Sequence, residues 1–252
     1  MSDGASRASI EPVFDAQHVE RLLLSDVRAG VDAIRSAARA GAVDAQALLG
    51  QMLLEGRGID ADASEGLHWH AVAASSGHVP SMNMVGRCYE LGRGTAVDEE
   101  LAAAWYRKAA DAGLDWGMYN YANLLAAGRG VKRDRARAYP LYRRAADMGH
   151  AKSMNLVGRF HDEGWEVEAD RVAAADWYRR SAEGGDFRGQ ASYASVLADA
   201  GRVDEAARWL RLAAASGTRS FLDRLVRELT DSPHAALRDI ADEIRIRLTQ
   251  PA

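Results

Sequence analysis

Asn83, Arg87 and Glu90 stand at positions i, i+4 and i+7, and Asn155, Arg159 and Asp162 repeat that spacing. Between them, Tyr119 and Asn123 occupy the first two places of a third set. On an α-helix this spacing brings the side chains of each set to one face. Amides and guanidinia so arranged can bond peptide main-chain groups or grip a carboxylate. A merely solvated helix face favours Lys and Glu, whereas Tyr and Arg are enriched where proteins meet partners. These eight residues are the candidate partner-binding set.

Other patterns with chemical potential fall short. The run Gly56-Arg57-Gly58 and its copies are glycine-rich, but they follow helices. No G-x-G-x-x-G opens a helix after a strand, which is the context a phosphate cradle needs. Asp60, Asp62 and Ser64 begin like a calcium loop, yet the sixth place is Glu65 rather than Gly and the twelfth is Ala71. His68 and His70 are two apart on a helix and point to different faces. His78 and His150 share one repeat column, which suits packing at a unit boundary. His161 with Asp162 and Glu163 lacks H-E-x-x-H or comparable spacing. Cys88 alternates in its column with Met52, Leu124 and Phe160, so it reads as a buried thiol and not a nucleophile. No catalytic residue, metal-ligand set or cofactor is expected.

The chain has 252 residues, of which 48% are apolar and 27% charged, ordinary values for a soluble globular protein. The formal net charge is −4, without the basic excess that neutralising phosphates calls for. The longest basic stretch, 132–137, contains Asp134 and reads as a solvated loop and helix start. Neither a nucleic acid nor an anionic membrane surface is an expected partner. One cysteine rules out an intrachain disulfide and argues against the small stapled secreted class. Residues 1–15 show no basic stretch followed by an apolar one, and no window approaches 18 consecutive apolar residues. A cytoplasmic location, without membrane insertion, is the expectation.

The elements that must position these residues recur every 36 residues. Gly50, Gly86, Ala122 and Gly158 form one column; Gly56, Gly92, Gly128 and Gly164 a second; Asp62, Asp98, Asp134 and Asp170 a third. Trp69, Trp105, Leu141 and Trp177 form a fourth, and Gly77, Gly113, Gly149 and Gly185 a fifth. A further unit follows with its loop four residues shorter, so that Trp209 and Gly217 lie 32 residues past their counterparts. Each unit reads as two helices. The stripe Met82, Val85, Gly86, Tyr89 and Leu91 ends at Gly92, which closes the first helix. Asp98 caps the second, which carries Leu101, Trp105, Ala109 and Ala110 on one face. A mid-helix glycine costs about 0.5–1 kcal/mol relative to alanine, so something must approach it closely. The pairs Ala73-Ala74, Ala109-Ala110 and Ala145-Ala146 are the expected opposing surface, with the tryptophans filling the space between units. Pro140 falls inside a second helix, where it removes one hydrogen bond and should kink it.

This pattern resembles the Sel-1-like repeat, a relative of the tetratricopeptide repeat. The second unit carries it best, in GRCYELGRG (86–94) and AWYRKAADAG (104–113). Ala122, Leu141 and Glu166 depart from it. The fold expected is all-α, a right-handed α/α superhelix, or solenoid, of stacked helix pairs with a 36-residue period. Residues 1–10 are expected to be disordered and 11–43 to form N-terminal capping helices, one over 12–28 and the half repeat's over 31–40. Five repeats span 44–218, and capping helices occupy 219–252. The resemblance implies a non-catalytic scaffold or adaptor that binds a protein or peptide on a concave face lined by first helices. Its whole-chain pattern, notably 114–127 and 180–192, also looks like bacterial members that accompany iron-uptake systems and an iron-dependent dioxygenase. Exported, cysteine-rich members are associated with β-lactam binding; they depend on paired cysteines in every unit, which this chain lacks, so a β-lactam binder or hydrolase is disfavoured.

Overall fold

The structure, a computed structural model, describes residues 14–249. The expected disordered segment 1–10 lies outside them. Among the described residues every regular element is an α-helix. They are α1 (Ala16–Ser25), α2 (Val27–Arg39), α3 (Val43–Glu55), α4 (Ala63–Ser75), α5 (Val79–Leu91), α6 (Glu99–Asp111) and α7 (Asp115–Ala127). There follow α8 (Arg135–Asp147), α9 (Ala151–Glu163), α10 (Arg171–Glu183), α11 (Phe187–Asp199), α12 (Val203–Ser216), α13 (Arg219–Thr230) and α14 (Ala235–Thr249). The chain divides into two compact units. One holds the residues up to Gly117 with Gly128–Arg133; the other holds Met118–Ala127 and the residues from Asp134 on.

The helix boundaries follow from capping chemistry. Asp62, Asp98, Asp134 and Asp170 each accept the N–H three residues on, at 2.9 Å, and so begin α4, α6, α8 and α10. Gly56, Gly92 and Gly164 close α3, α5 and α9 in the left-handed region, at φ of 69°, 66° and 67°. His78 and His150, the pair expected to pack at unit boundaries, are caps. Each ring Nδ1 accepts an N–H, from Ser81 at 3.2 Å and from Ser153 at 3.3 Å. The helix expected over 12–28 is cut at Ser25. Asp26, extended at φ −150°, takes the N–H of Ala29 and starts a new helix. α8 runs uninterrupted through Pro140.

Within each unit a second helix packs between the first helix of its own repeat and that of the next, as α4 does between α3 and α5, and α10 between α9 and α11. The buried stripe of α6 is Ala102, Ala103, Tyr106, Ala109 and Ala110; Leu101 is exposed and Trp105 half-buried under the Lys108 ammonium. The residue after each tryptophan therefore faces inward. It also meets the glycine column, in place of the alanine pairs. A Cβ on Gly86 would lie 2.7 Å from the Tyr106 ring, one on Gly158 2.7 Å from Tyr178, and one on Gly50 2.9 Å from His70. The alanine pairs oppose the first turn of the following helix instead, where a Cβ on Gly117 would meet Ala109 at 2.7 Å.

The loops between paired helices also cross back onto the preceding repeat. The Arg93 guanidinium bonds the Leu54 carbonyl, and the Arg129 guanidinium reaches Glu90 and Glu99. Gly130 passes so close to the Glu99 carbonyl that a Cβ would lie 2.0 Å from it. In the fourth repeat Trp165 takes the arginine's place and stacks on Arg135, 4.5 Å from ring centroid to guanidinium. The fifth loop is only residues 200–202. Beyond it, α11 to α14 share one apolar core that includes Leu210, Phe221, Leu225, Ile240 and Ile244.

Candidate functional site

The eight candidate residues fall in both compact units. In the first, Arg87 is exposed on α5, Asn83 is buried and Glu90 is half-buried. Glu90 is doubly held: Tyr106 Oη donates to its Oε2 at 2.6 Å, and Arg129 Nη1 donates to its Oε1 at 3.0 Å. Arg129 Nε also donates to Glu99, at 2.8 Å.

In the second unit, the Tyr119 ring lies 4.9 Å from that of His150 and 6.3 Å from that of Tyr142. Tyr142 Oη donates to Asn123 Oδ1 at 2.7 Å. Asn155 is buried, and its Oδ1 accepts from Ser192 Oγ on α11 at 3.0 Å. Arg159 is exposed, its guanidinium 5.3 Å from the Trp165 ring centroid. Asp162 is exposed at the end of α9 and accepts from Tyr178 Oη at 3.3 Å. Beside it is a cavity of about 430 Å³ among α9, α10 and α11, whose polar lining includes Arg171, Tyr178, Ser192, Ser195 and Asp199.

Sequence reasoning missed the column Tyr106, Tyr142 and Tyr178. Its signal was available as an aromatic recurring every 36 residues, one place after the tryptophans. Each ring is buried and each hydroxyl reaches a candidate residue of its own repeat. Burial, reinforced by Glu90 and by Asp162, pushes the phenols of Tyr106 and Tyr178 well up; burial and the neighbouring Tyr119 do the same for Tyr142. All three remain protonated donors, close to Glu90 and Asn123 and more loosely placed against Asp162.

Elsewhere the chemistry is sparse. Burial pushes the Cys88 thiol up, against the pull of Arg93 and Arg87, so little thiolate is present at neutral pH. Among the described residues no group of three or more His, Cys, Asp or Glu side chains is placed to hold a metal ion. None of the described helices is long and apolar enough to cross a membrane.

A family model described as Sel1 repeat matches residues 43–78, 79–114, 117–150, 151–186 and 202–218, more than half of the chain. Among solved structures, a Sel1 repeat protein from Oxalobacter formigenes superposes with a TM-score of 0.78 at 24% identity, over 92% of this chain and all of that one. A protective antigen of uropathogenic Escherichia coli with an SLR fold gives 0.73 at 27% identity, over 92% of this chain. This chain spans 52% of that antigen's length. A Klebsiella pneumoniae protein described as a sel1 repeat protein gives 0.52 at 19% identity, over 78% of this chain and 98% of that one. No curated protein sequence matches.

Proposed function

The chain belongs to the Sel1 repeat family, and we propose that it is a non-catalytic scaffold that holds a protein or peptide against the polar face of its first helices. Proteins of this family generally act as scaffolds for protein–protein interaction. The observation that carries the reading is the tyrosine column. In three repeats a buried ring delivers its hydroxyl to the stripe, at 2.6 Å to Glu90, 2.7 Å to Asn123 and 3.3 Å to Asp162. Side chains fixed in this way lose less conformational freedom on binding than free surface side chains, whose immobilisation costs about 0.5–1.5 kcal/mol each. Arg87 stands exposed in the first unit and Arg159 in the second, and each supplies a forked donor for carboxylates or main-chain carbonyls.

The test is affinity purification from native cells followed by mass spectrometry, with wild type and a variant combining Arg87→Glu and Asn123→Ala. A partner recovered by the wild type should fall at least tenfold with the variant while circular dichroism is unchanged. Equal recovery by two equally folded proteins would remove this face from consideration.

A further inference from the structure

We propose that the cavity beside Asp162 receives the guanidinium of an arginine carried by the partner peptide; this rests on the reading of the first-helix face as a peptide-binding surface. The argument comes from comparing repeats of this one chain. In the second repeat, Glu90 ends the polar stripe and takes the Tyr106 hydroxyl on one oxygen and the Arg129 guanidinium on the other. Arg129 comes from the loop of the next repeat, seven residues long (128–134), which crosses back over α6. In the fourth repeat, Asp162 stands at the position of Glu90, 72 residues on, and Tyr178 at that of Tyr106. The tyrosine–carboxylate half recurs more loosely, with Tyr178 Oη donating to Asp162 at 3.3 Å against 2.6 Å for Tyr106 and Glu90, and Arg171 stands where the second repeat has Glu99.

The arginine half has no counterpart among the described residues. The loop that should cross back is three residues, 200–202, and is too short to reach. Its one basic residue, Arg202, is engaged with Glu205 on its own helix at 2.7 Å. Where the earlier loops lie on the preceding repeat, the structure has the cavity of about 430 Å³. That is within the roughly 300–1,000 Å³ of small-ligand sites and ample for one side chain. Asp199 adds a second carboxylate to its lining, and Ser195 a hydroxyl. The two carboxylates outnumber Arg171, the one guanidinium in the lining. Neither Asp199 nor Arg171 makes an ion pair among the described residues. A planar cation that bonds Asp162 as Arg129 bonds Glu90 is what this lining complements, and a forked donor meets a carboxylate better than a point charge does.

The probe is Nα-acetyl-argininamide, titrated into the ¹⁵N-labelled full chain and followed by NMR, with Nα-acetyl-norleucinamide as the uncharged control. The argininamide should move the amide resonances of residues 192–199 and of Asp162 saturably, while norleucinamide leaves them in place. Asp162→Asn should weaken the apparent affinity at least tenfold, and Asp199→Asn measurably, each with an unchanged circular-dichroism spectrum. Equal responses to the two probes, or wild-type affinity in both variants, would overturn the proposal. If the probe fails while partner recovery still depends on Arg87 and Asn123, the inference falls and the scaffold reading stands. If the probe binds but recovery is indifferent to those two residues, the cavity stands and the wider face does not.

Discussion

Acid should weaken this fold through one imidazole. His70 is 3% exposed and lies against Gly50 of α3. Ser81 Oγ sits between two rings, 2.8 Å from His78 Nδ1 and 3.0 Å from His70 Nδ1, and has one hydrogen to share. His78 Nδ1 already accepts the Ser81 N–H, so it must be unprotonated there. His70 Nε2 is buried with no partner among the described residues, so a second proton on this ring would have nothing to bond. Burial first, and the adjacent His78 second, lower its pKa from 6.5 to about 4. The folded chain therefore refuses a proton that the unfolded chain accepts below pH 6.5. Stability is full above that pH, falls as pH drops toward 4, and levels off below it. At about 1.4 kcal/mol per pKa unit the loss is roughly 3 kcal/mol. His70→Leu is the control, because Leu210 fills the same column of the fifth repeat. Urea midpoints followed by circular dichroism from pH 7.5 to 4 should show the wild type losing about 3 kcal/mol more than the variant, since carboxylate protonation is common to both. Parallel curves would refute the claim that this ring is held neutral.

Two further substitutions probe the packing. Gly86→Ala places a methyl 2.7 Å from the fully buried Tyr106 ring; the overpacking should outweigh the helix gain and lower stability by about 1–2 kcal/mol in urea unfolding, whereas a rise would show that the ring yields. Glu166 is the one non-glycine among the described residues with positive φ, at 57°; Glu166→Gly should raise stability by about 1 kcal/mol, and an unchanged midpoint would mean the position carries no strain.

Much of this fold is legible in the sequence because capping chemistry is local. An aspartate before a helix, or a glycine after it, acts within three or four residues and needs no knowledge of the fold. The partners of the glycine column were less accessible. Trp105 and Tyr106 are adjacent, both aromatic and both recurrent, and differ on a helix by about 100° of rotation. Only the angle between α5 and α6 decides which of the two meets Gly86, and periodicity carries no information about that angle. The histidine caps could have been read from His78-x-x-Ser81 and His150-x-x-Ser153, where an acceptor precedes the N–H it holds by three residues.

The candidate site poses a different difficulty, because a repeat announces what its packing requires and is silent about what it leaves over. Aspartate occupies the cap column in all four full-length units, as a helix start demands. The stripe varies at the same time: Leu54, Glu90, Ala126 and Asp162 share one column, and Gln51, Arg87, Asn123 and Arg159 another. A position that stacking does not fix to one residue type is free to differ, so the proposed recognition is sought in positions that break the period. The shortened loop after α11 is the largest such break. In the sequence it is four missing residues and looks like a loss. In three dimensions the loop of the third repeat covers Glu90 of the second, so the same deletion one unit later leaves Asp162, which stands at the position of Glu90, uncovered.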